Sequence, residues 1–273
     1  MPMANVDIPA PERPKEISGF RRRFVKKNGK RLLRWIDRVQ SKQSKVPDLP
    51  FVPVEHFPFL DVFAKNWKDI EAEARNVLKF RDEIPGFEDI SPDQYRIAKK
   101  NQWKTYVLYG FGTKLEKNAQ HAPKTVEMLE TVPNIQTAWF SILAPGYHIP
   151  AHKGVTKGIL RAHVGLIIPK DFEKCRIRVD DQIKPWQEGS LFVLDDTYEH
   201  EVWNDTDEER VILLFDFDRP MGGFGRFLNK VMLKAMKKTA YYKDPKKNLA
   251  DAEDRFEQAV RQADANMEKM GED

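Results

Sequence analysis

Between residues 134 and 220 the chain is cut into short runs of β-forming residues, TAWFSIL, VGLIIP, CRIRV, SLFVL, HEVW and RVILLFDF, separated by Pro, Gly, Asp and Asn. Runs this short and this closely spaced, with no helical stretch between them, argue against a parallel sheet of strand-helix-strand units. They predict an antiparallel sandwich or small barrel. RIRV alternates polar and apolar side chains, as a strand with one wet face does, whereas VGLIIP and VILLF are continuous and predict burial on both faces. Residues 132–220 are thus expected to form an all-β core in a mainly β chain with flanking helices (α+β).

The flanks follow other periods. The stretch VPDLPFVPVEHFPF (46–59) is punctuated by prolines and reads as an extended connector. Trp67, Ile70, Ala74, Val77 and Leu78 fall on one stripe and predict a helix over 63–80, and PKTVEMLET predicts a second over 122–131, so 51–131 reads as a helical buttress and connector. Residues 221–273 read as a helical extension. In it Phe224, Phe227, Leu228, Val231, Met232, Ala235 and Met236 share a broad face among Arg226, Lys230, Lys234, Lys237 and Lys238, and the highly charged 249–269 reads as a solvated surface helix. Residues 1–50 form a basic arm. Its first nineteen residues hold four prolines and read as a disordered leader, and over 20–43 Leu32, Trp35, Ile36 and Val39 form one helical stripe.

Charge is uneven. Arg21 to Lys45 holds eleven Lys or Arg against Asp37 alone, a segment charge of +10, so the remainder carries −6 within the net +4. Docking on an anionic lipid or a partner protein, packing on its own domain, and a nucleic-acid arm all fit such a helix, nucleic acid being the least expected partner. No apolar run approaches the roughly 18 residues of a membrane-spanning helix, and MPMANVDIPAPERPKEI lacks the pattern of a secretory signal. The expected location is the cytoplasm, with peripheral contact at the inner face of the membrane left open. The only cysteine, Cys175, leaves no disulfide framework or cysteine-rich zinc module and reads as an ordinary strand residue. The six histidines become the main candidates for binding a soft metal.

His148, His152, His163 and His200 lie in the β core. His152, in YHIPAHKG, follows a strand end, and His200, in LDDTYEHEVWN, sits where one strand turns into the next. They can meet only across antiparallel strands, as happens at the mouths of small barrels. Two imidazoles suit Fe(II), which oxygenases hold with two histidines and a carboxylate. The usual H-x-D spacing gives Gly154 here, so water or another group would take the third position. Arg210, on the last core strand among apolar residues, needs an anionic partner because a buried unpaired charge is costly. A small dicarboxylate could supply it through a bidentate fork, and so could Asp195, Asp196 or Asp216. Arg161 and His163, two apart on one strand, share a face and offer a second cationic grip. Asp195, Asp196 and Glu201 read as orienting an imidazole or shaping the turn, and Trp186 and Gly189 as turn and packing residues.

At these residues the sequence resembles the aspartyl/asparaginyl β-hydroxylase family, which includes bacterial lipid A 2-hydroxylases and ornithine-lipid hydroxylases. The carrying motifs, SILAPGYHIPAHKG, RAHVGLIIP, WQEGSLFVLDDTYEHEVWN and RVILLFDFDRP, stand in the family's order over about residues 135–220. The resemblance implies a double-stranded β-helix (jelly-roll, cupin-like) and an Fe(II)- and 2-oxoglutarate-dependent dioxygenase. His152 and His200 would hold the iron with no carboxylate ligand, Gly154 being the family's own departure from the usual pattern. Arg210 would clamp the far carboxylate of 2-oxoglutarate, with Ser141, Arg161 and His163 completing that pocket. The implied reaction consumes 2-oxoglutarate and O₂ and hydroxylates an unactivated C–H. Arg219-Pro220 stands where mammalian-type members have His-Pro, as in the lipid-modifying bacterial members. Three roles follow: hydroxylation at C2 of a membrane-lipid acyl chain, hydroxylation of an Asp or Asn side chain in a protein or peptide, and a metal-binding interaction module without catalysis. Intact His152, His200 and Arg210 argue against the third.

Overall fold

The computed structural model describes residues 19–92, 96–238 and 240–270. Its centre is a run of eight strands: β4 (Ile135–Leu143), β5 (His148–His152), β6 (Ile159–Ile167), β7 (Cys175–Val179), β8 (Gln182–Pro185), β9 (Leu191–Leu194), β10 (His200–Asn204) and β11 (Arg210–Asp218). They pair antiparallel as β4 with β11, β5 with β10, β6 with β9 and β7 with β8. This is one long hairpin coiled on itself, a double-stranded β-helix. Its tip is the tight β7–β8 turn, where Asp180 takes a left-handed φ of 56°, a conformation that aspartate tolerates better than most residues.

Three earlier strands extend the larger sheet: β1 (Phe51–Val52), β2 (Trp103–Gly110) and β3 (Thr113–Lys114). The sheet orders are β1-β9-β6-β11-β4-β2-β3 and β5-β10-β7-β8. β1 falls in the proline-punctuated connector. β2, WKTYVLYG, is buried at every position and pairs with β4. The segment expected to be helices and connector thus also supplies strands, and the eight-residue run rich in aromatic and β-branched residues is the reason.

The two faces of the larger sheet bury different cores. Val211, Leu213, Phe215 and Phe217 of β11 point outward into a cluster shared with α2 (Asp61–Lys65), α3 (Trp67–Leu78) and neighbouring helices. Ile212 and Leu214 point inward to meet Ile149, Ile177 and Val202 of the smaller sheet. β11 is buried at eight of its nine positions, so the continuous run hides a two-sided strand. The helix expected over 63–80 divides at Asn66, which leaves helical ψ and donates from Nδ2 to Val62 O at 2.8 Å. The remaining small helices are α4 (Phe87–Ile90), α5 (Glu116–Gln120) and α6 (Pro123–Glu130), the last where 122–131 predicts it.

α1 (Gly19–Gln43) and α7 (Gly223–Met236) follow the two basic amphipathic stripes, and α8 (Ala240–Met270) closes the chain. The leader expected over 1–19 lies outside the described residues up to 18. The stretch read as a solvated surface helix is buried along one side: Leu249, Ala252 and Phe256 are covered, and the Phe256 ring stands 4.7 Å from Tyr106. Its many charges occupy the other sides and mask an apolar stripe at helical spacing.

Candidate active site

His152 and His200, far apart in sequence, are direct register partners across β5 and β10, with ring centroids 4.1 Å apart. The register slips between His200 and Val202, so β5 carries an extra residue beside Pro150. A proline is tolerated there because β5 is an edge strand, and the bulge re-aims the side chain that follows. Each imidazole bonds through Nδ1 to the backbone carbonyl two residues earlier: His152 to Pro150 O at 2.8 Å and His200 to Tyr198 O at 3.0 Å. Those acceptors assign the proton to Nδ1 and leave Nε2 as the lone-pair nitrogen of both rings. Burial holds His152 below the ordinary imidazole pKa and pushes His200 down to about 3. Two neutral, oriented imidazoles are a donor set for a divalent first-row metal ion.

Among the described residues no cluster of three His, Cys, Asp or Glu side chains is arranged to hold a metal. Gly154 explains part of this. A Cβ there would run into the carboxylate of Asp196, which fills the space that a side chain at 154 would need. Asp196 is not a turn residue only: it lines the cavity with the two histidines, and burial raises its carboxyl to about 6. Asp195 is structural, bonding to Lys157, to the Thr197 hydroxyl and to the fully buried Arg219. Glu201 faces away, paired with Arg178 and with His148, whose ring stacks on Trp203.

A cavity of about 370 Å³ opens beside the histidines, within the range of small-molecule sites. Its walls are mainly apolar, with Trp103, Val107 and Trp139 from the sheet, Ile90 and Ile97 beside them, and Met236 and Leu249 from the C-terminal helices. Arg161 also lines it, held by a two-pronged pair to Asp216 (2.7 and 3.0 Å) and close to Asp196. One of the carboxylates foreseen as an alternative partner for a strand arginine has therefore gone to Arg161.

Arg210 has no such partner. Its guanidinium is fully buried, lies 4.8 Å from the Trp186 ring and donates from Nη2 to Ser141 Oγ at 3.2 Å, while Nε bonds to nothing in the protein. Burial lowers it to about 10. Beside it stand other buried polar atoms without a partner, both nitrogens of His163 and Nε1 of Trp186, and Trp139 Nε1 and Thr105 Oγ1 on the cavity lining are likewise unpartnered. Buried polar groups are nearly always satisfied, so such a cluster points to an absent polar ligand. Ser141, His163 and Arg210 do not line the open cavity; Trp103, which does, joins it to them by donating Nε1 to Ser141 Oγ at 2.9 Å. The second cationic grip is only half present. Arg161 is charged, but burial and the nearby Arg161 and Arg210 hold His163 well below the usual imidazole range, so it is neutral.

Sequence reasoning passed over Trp103, Thr105 and Trp186. The first two alternate on β2, the strand not foreseen. Trp186, read as packing, is the ring beneath Arg210, and nothing in KPWQEG marks it for that place.

The sequence model of the aspartyl/asparaginyl beta-hydroxylase family matches residues 64–220, more than half of the chain. The chain belongs to this family. Among curated relatives, the ornithine lipid ester-linked acyl 2-hydroxylase of Rhizobium tropici is 39% identical over 225 residues, covering 82% of this chain and 80% of the relative. The human aspartyl/asparaginyl beta-hydroxylase is 35% identical over 161 residues, covering 57% of this chain and 20% of the human protein. Among solved structures, an oxidoreductase of the 2OG-Fe(II) oxygenase family from Burkholderia pseudomallei aligns with TM-score 0.34 and 13% identity over 44% of this chain and 67% of its own. That likeness is too slight to add to what the strand pairing establishes.

Proposed function

We propose that this β-hydroxylase family member is an Fe(II)- and 2-oxoglutarate-dependent dioxygenase that hydroxylates C2 of a lipid acyl chain. His152 and His200 would hold the iron through Nε2. Arg210 would grip the far carboxylate of 2-oxoglutarate, with Ser141, His163 and Arg161 around the cosubstrate. The single observation that carries the cosubstrate reading is the buried Arg210, without a carboxylate partner and beside the unpartnered polar atoms of His163 and Trp186, a charge that a small dicarboxylate would satisfy. Iron, 2-oxoglutarate and O₂ bound there supply the oxidation that puts oxygen into an unactivated C–H, yielding succinate and CO₂.

The chain's own residues do the rest. The backbone carbonyls of Pro150 and Tyr198 fix the tautomer and aim of the two imidazoles. Trp103, Val107 and Trp139 wall off water from the reacting centre. Met236 and Leu249 continue an apolar wall that suits a hydrocarbon chain, and the Rhizobium relative acts on a lipid acyl chain.

A second reading, hydroxylation of an Asp or Asn side chain in a peptide, is favoured by Lys153 and Arg161 on the same cavity wall and by the likeness to the human enzyme. Lipid mass spectrometry of a deletion strain separates the two. Loss of one oxygen atom from an acyl chain supports the first, and an unchanged lipid profile with turnover of an Asp-containing peptide supports the second. Absence of Fe(II)-dependent succinate formation by the purified protein would overturn both.

A further inference from the structure

We infer that α1 and α7 together form a docking face for an anionic phospholipid bilayer, tied to the mouth of the cavity. Six of the nine large apolar side chains that stand exposed among the described residues belong to these two helices: Leu32, Leu33 and Trp35 on α1, and Phe224, Phe227 and Val231 on α7, all between 45% and 64% exposed. Exposed apolar residues concentrated in this way mark an interaction surface, whereas scattered ones need no explanation. On α7 the three fall at helical spacing on the side opposite the buried Gly225, Asn229 and Leu233. On α1 the stripe runs off the body. Ile36 is buried, but Leu32, one turn earlier on the same side, is open.

Charge selects the occupant. α7 holds no acidic residue and carries exposed Arg226, Lys230 and Lys234, with Lys237 and Lys238 directly after it. The exposed Arg31, Arg38 and Lys42 of α1 match them. Bulky apolar groups bordered by cations are the make-up of an interfacial helix that sinks one face into an acidic lipid surface. A second copy of this chain would bring like charge against like.

The coupling to the cavity is a buried polar knot. Gln40 of α1 donates to Asn229 Oδ1 of α7 at 3.1 Å and accepts from Thr156 Oγ1 at 3.2 Å, and Asn229 Nδ2 donates to Gly158 O at 3.0 Å. Thr156 and Gly158 belong to the loop after His152, whose Lys153, Gly154, Val155 and Thr156 line the cavity. Val155 is also 53% exposed, so the cavity rim reaches the surface on the loop that the two helices hold. The inference does not depend on the lipid-substrate reading, since a peptide hydroxylase with this face would dock equally.

The test is co-sedimentation of the full-length, metal-free protein with phosphatidylglycerol/phosphatidylcholine vesicles and with phosphatidylcholine vesicles alone; it reads binding without turnover. Binding is expected to the anionic vesicles and to weaken with salt. Lys230→Gln with Lys234→Gln should lower partitioning about 25-fold, about fivefold per charge. Phe224→Ser, Phe227→Ser and Val231→Ser combined should also release the protein, while Ile183→Ser, an equally exposed position on β8, should leave binding unchanged. Failure of the unaltered protein to sediment with anionic vesicles, binding indifferent to both sets of α7 substitutions, or a dimer in solution that the apolar α7 substitutions dissociate would overturn it.

Discussion

Arg210 donates from Nη2 to the Ser141 hydroxyl at 3.2 Å, and among the described residues no carboxylate pairs with that fully buried guanidinium. An uncompensated charge in a low-dielectric interior destabilises the cosubstrate-free fold, and apolar replacement of buried charge is often neutral or stabilising by about 1–4 kcal/mol. Arg210→Met is therefore expected to raise the Tm of the protein without 2-oxoglutarate and to abolish the rise in Tm that 2-oxoglutarate gives the unaltered protein. Thermal melts with and without the dicarboxylate check both halves, and a 2-oxoglutarate-dependent rise that persists in the variant would count against the assignment.

His152→Ala and His200→Ala should each lower Fe(II) affinity by more than the roughly 10–100-fold typical of a supporting residue. His148→Ala, which removes a ring stacked on Trp203 and paired with Glu201, should leave it unchanged. Equilibrium titration under anaerobic conditions reads all three, and equal losses at His148 and His152 would refute the pairing.

A methyl group at position 154 would meet the Asp196 carboxylate, which must shift to admit it. Gly154→Ala is expected to cost about 1–3 kcal/mol from overpacking, and Asp196→Gly should relieve it, making the double variant more stable than the two single effects predict. Urea denaturation of the four proteins gives the coupling directly. Strict additivity would mean that the two positions do not contend for one volume.

Acid should weaken the metal-free fold. His152, His163 and His200 stay neutral when buried, whereas in the unfolded chain each takes a proton near its ordinary 6.5, so their contribution is complete above about pH 6.5 and is lost as pH falls through it. Asp196 and Asp218, raised by burial from 3.8 to about 6, act oppositely, holding a proton in the folded state and adding stability as pH drops from about 6 toward 4. The variant Asp196→Asn with Asp218→Asn, which lacks that opposing gain, is expected to lose Tm in the presence of a chelator more steeply than the unaltered protein from about pH 6.5 to 5; an equal or shallower decline would contradict it.

The β core and the His152–His200 pair were legible because both follow from local rules. Short punctuated strands can pair only antiparallel, and a coiled hairpin brings together residues on opposite sides of its tip. What escaped was long-range. WKTYVLYG carries strand propensity but lies among helices, and its role is fixed only by β4 beside it. Trp186 carries no local mark of the arginine above it. Arg161 and Arg210 look alike in sequence, each on a strand among apolar neighbours, yet one faces Asp216 across a register pair and the other faces Leu143. Which of them is left with an unmatched charge is a property of the pairing and not of either strand.

The far wall of the cavity comes from Met236 of α7 and Leu249 of α8, beyond residues 64–220 that the family model matches. The chamber thus draws on the strands and on the C-terminal helices together. Histidines on paired strands cannot drift without losing their register. The aim of the two imidazoles and the apolar lining of the cavity are thus set by different parts of the fold, strand register for the one and helix packing for the other.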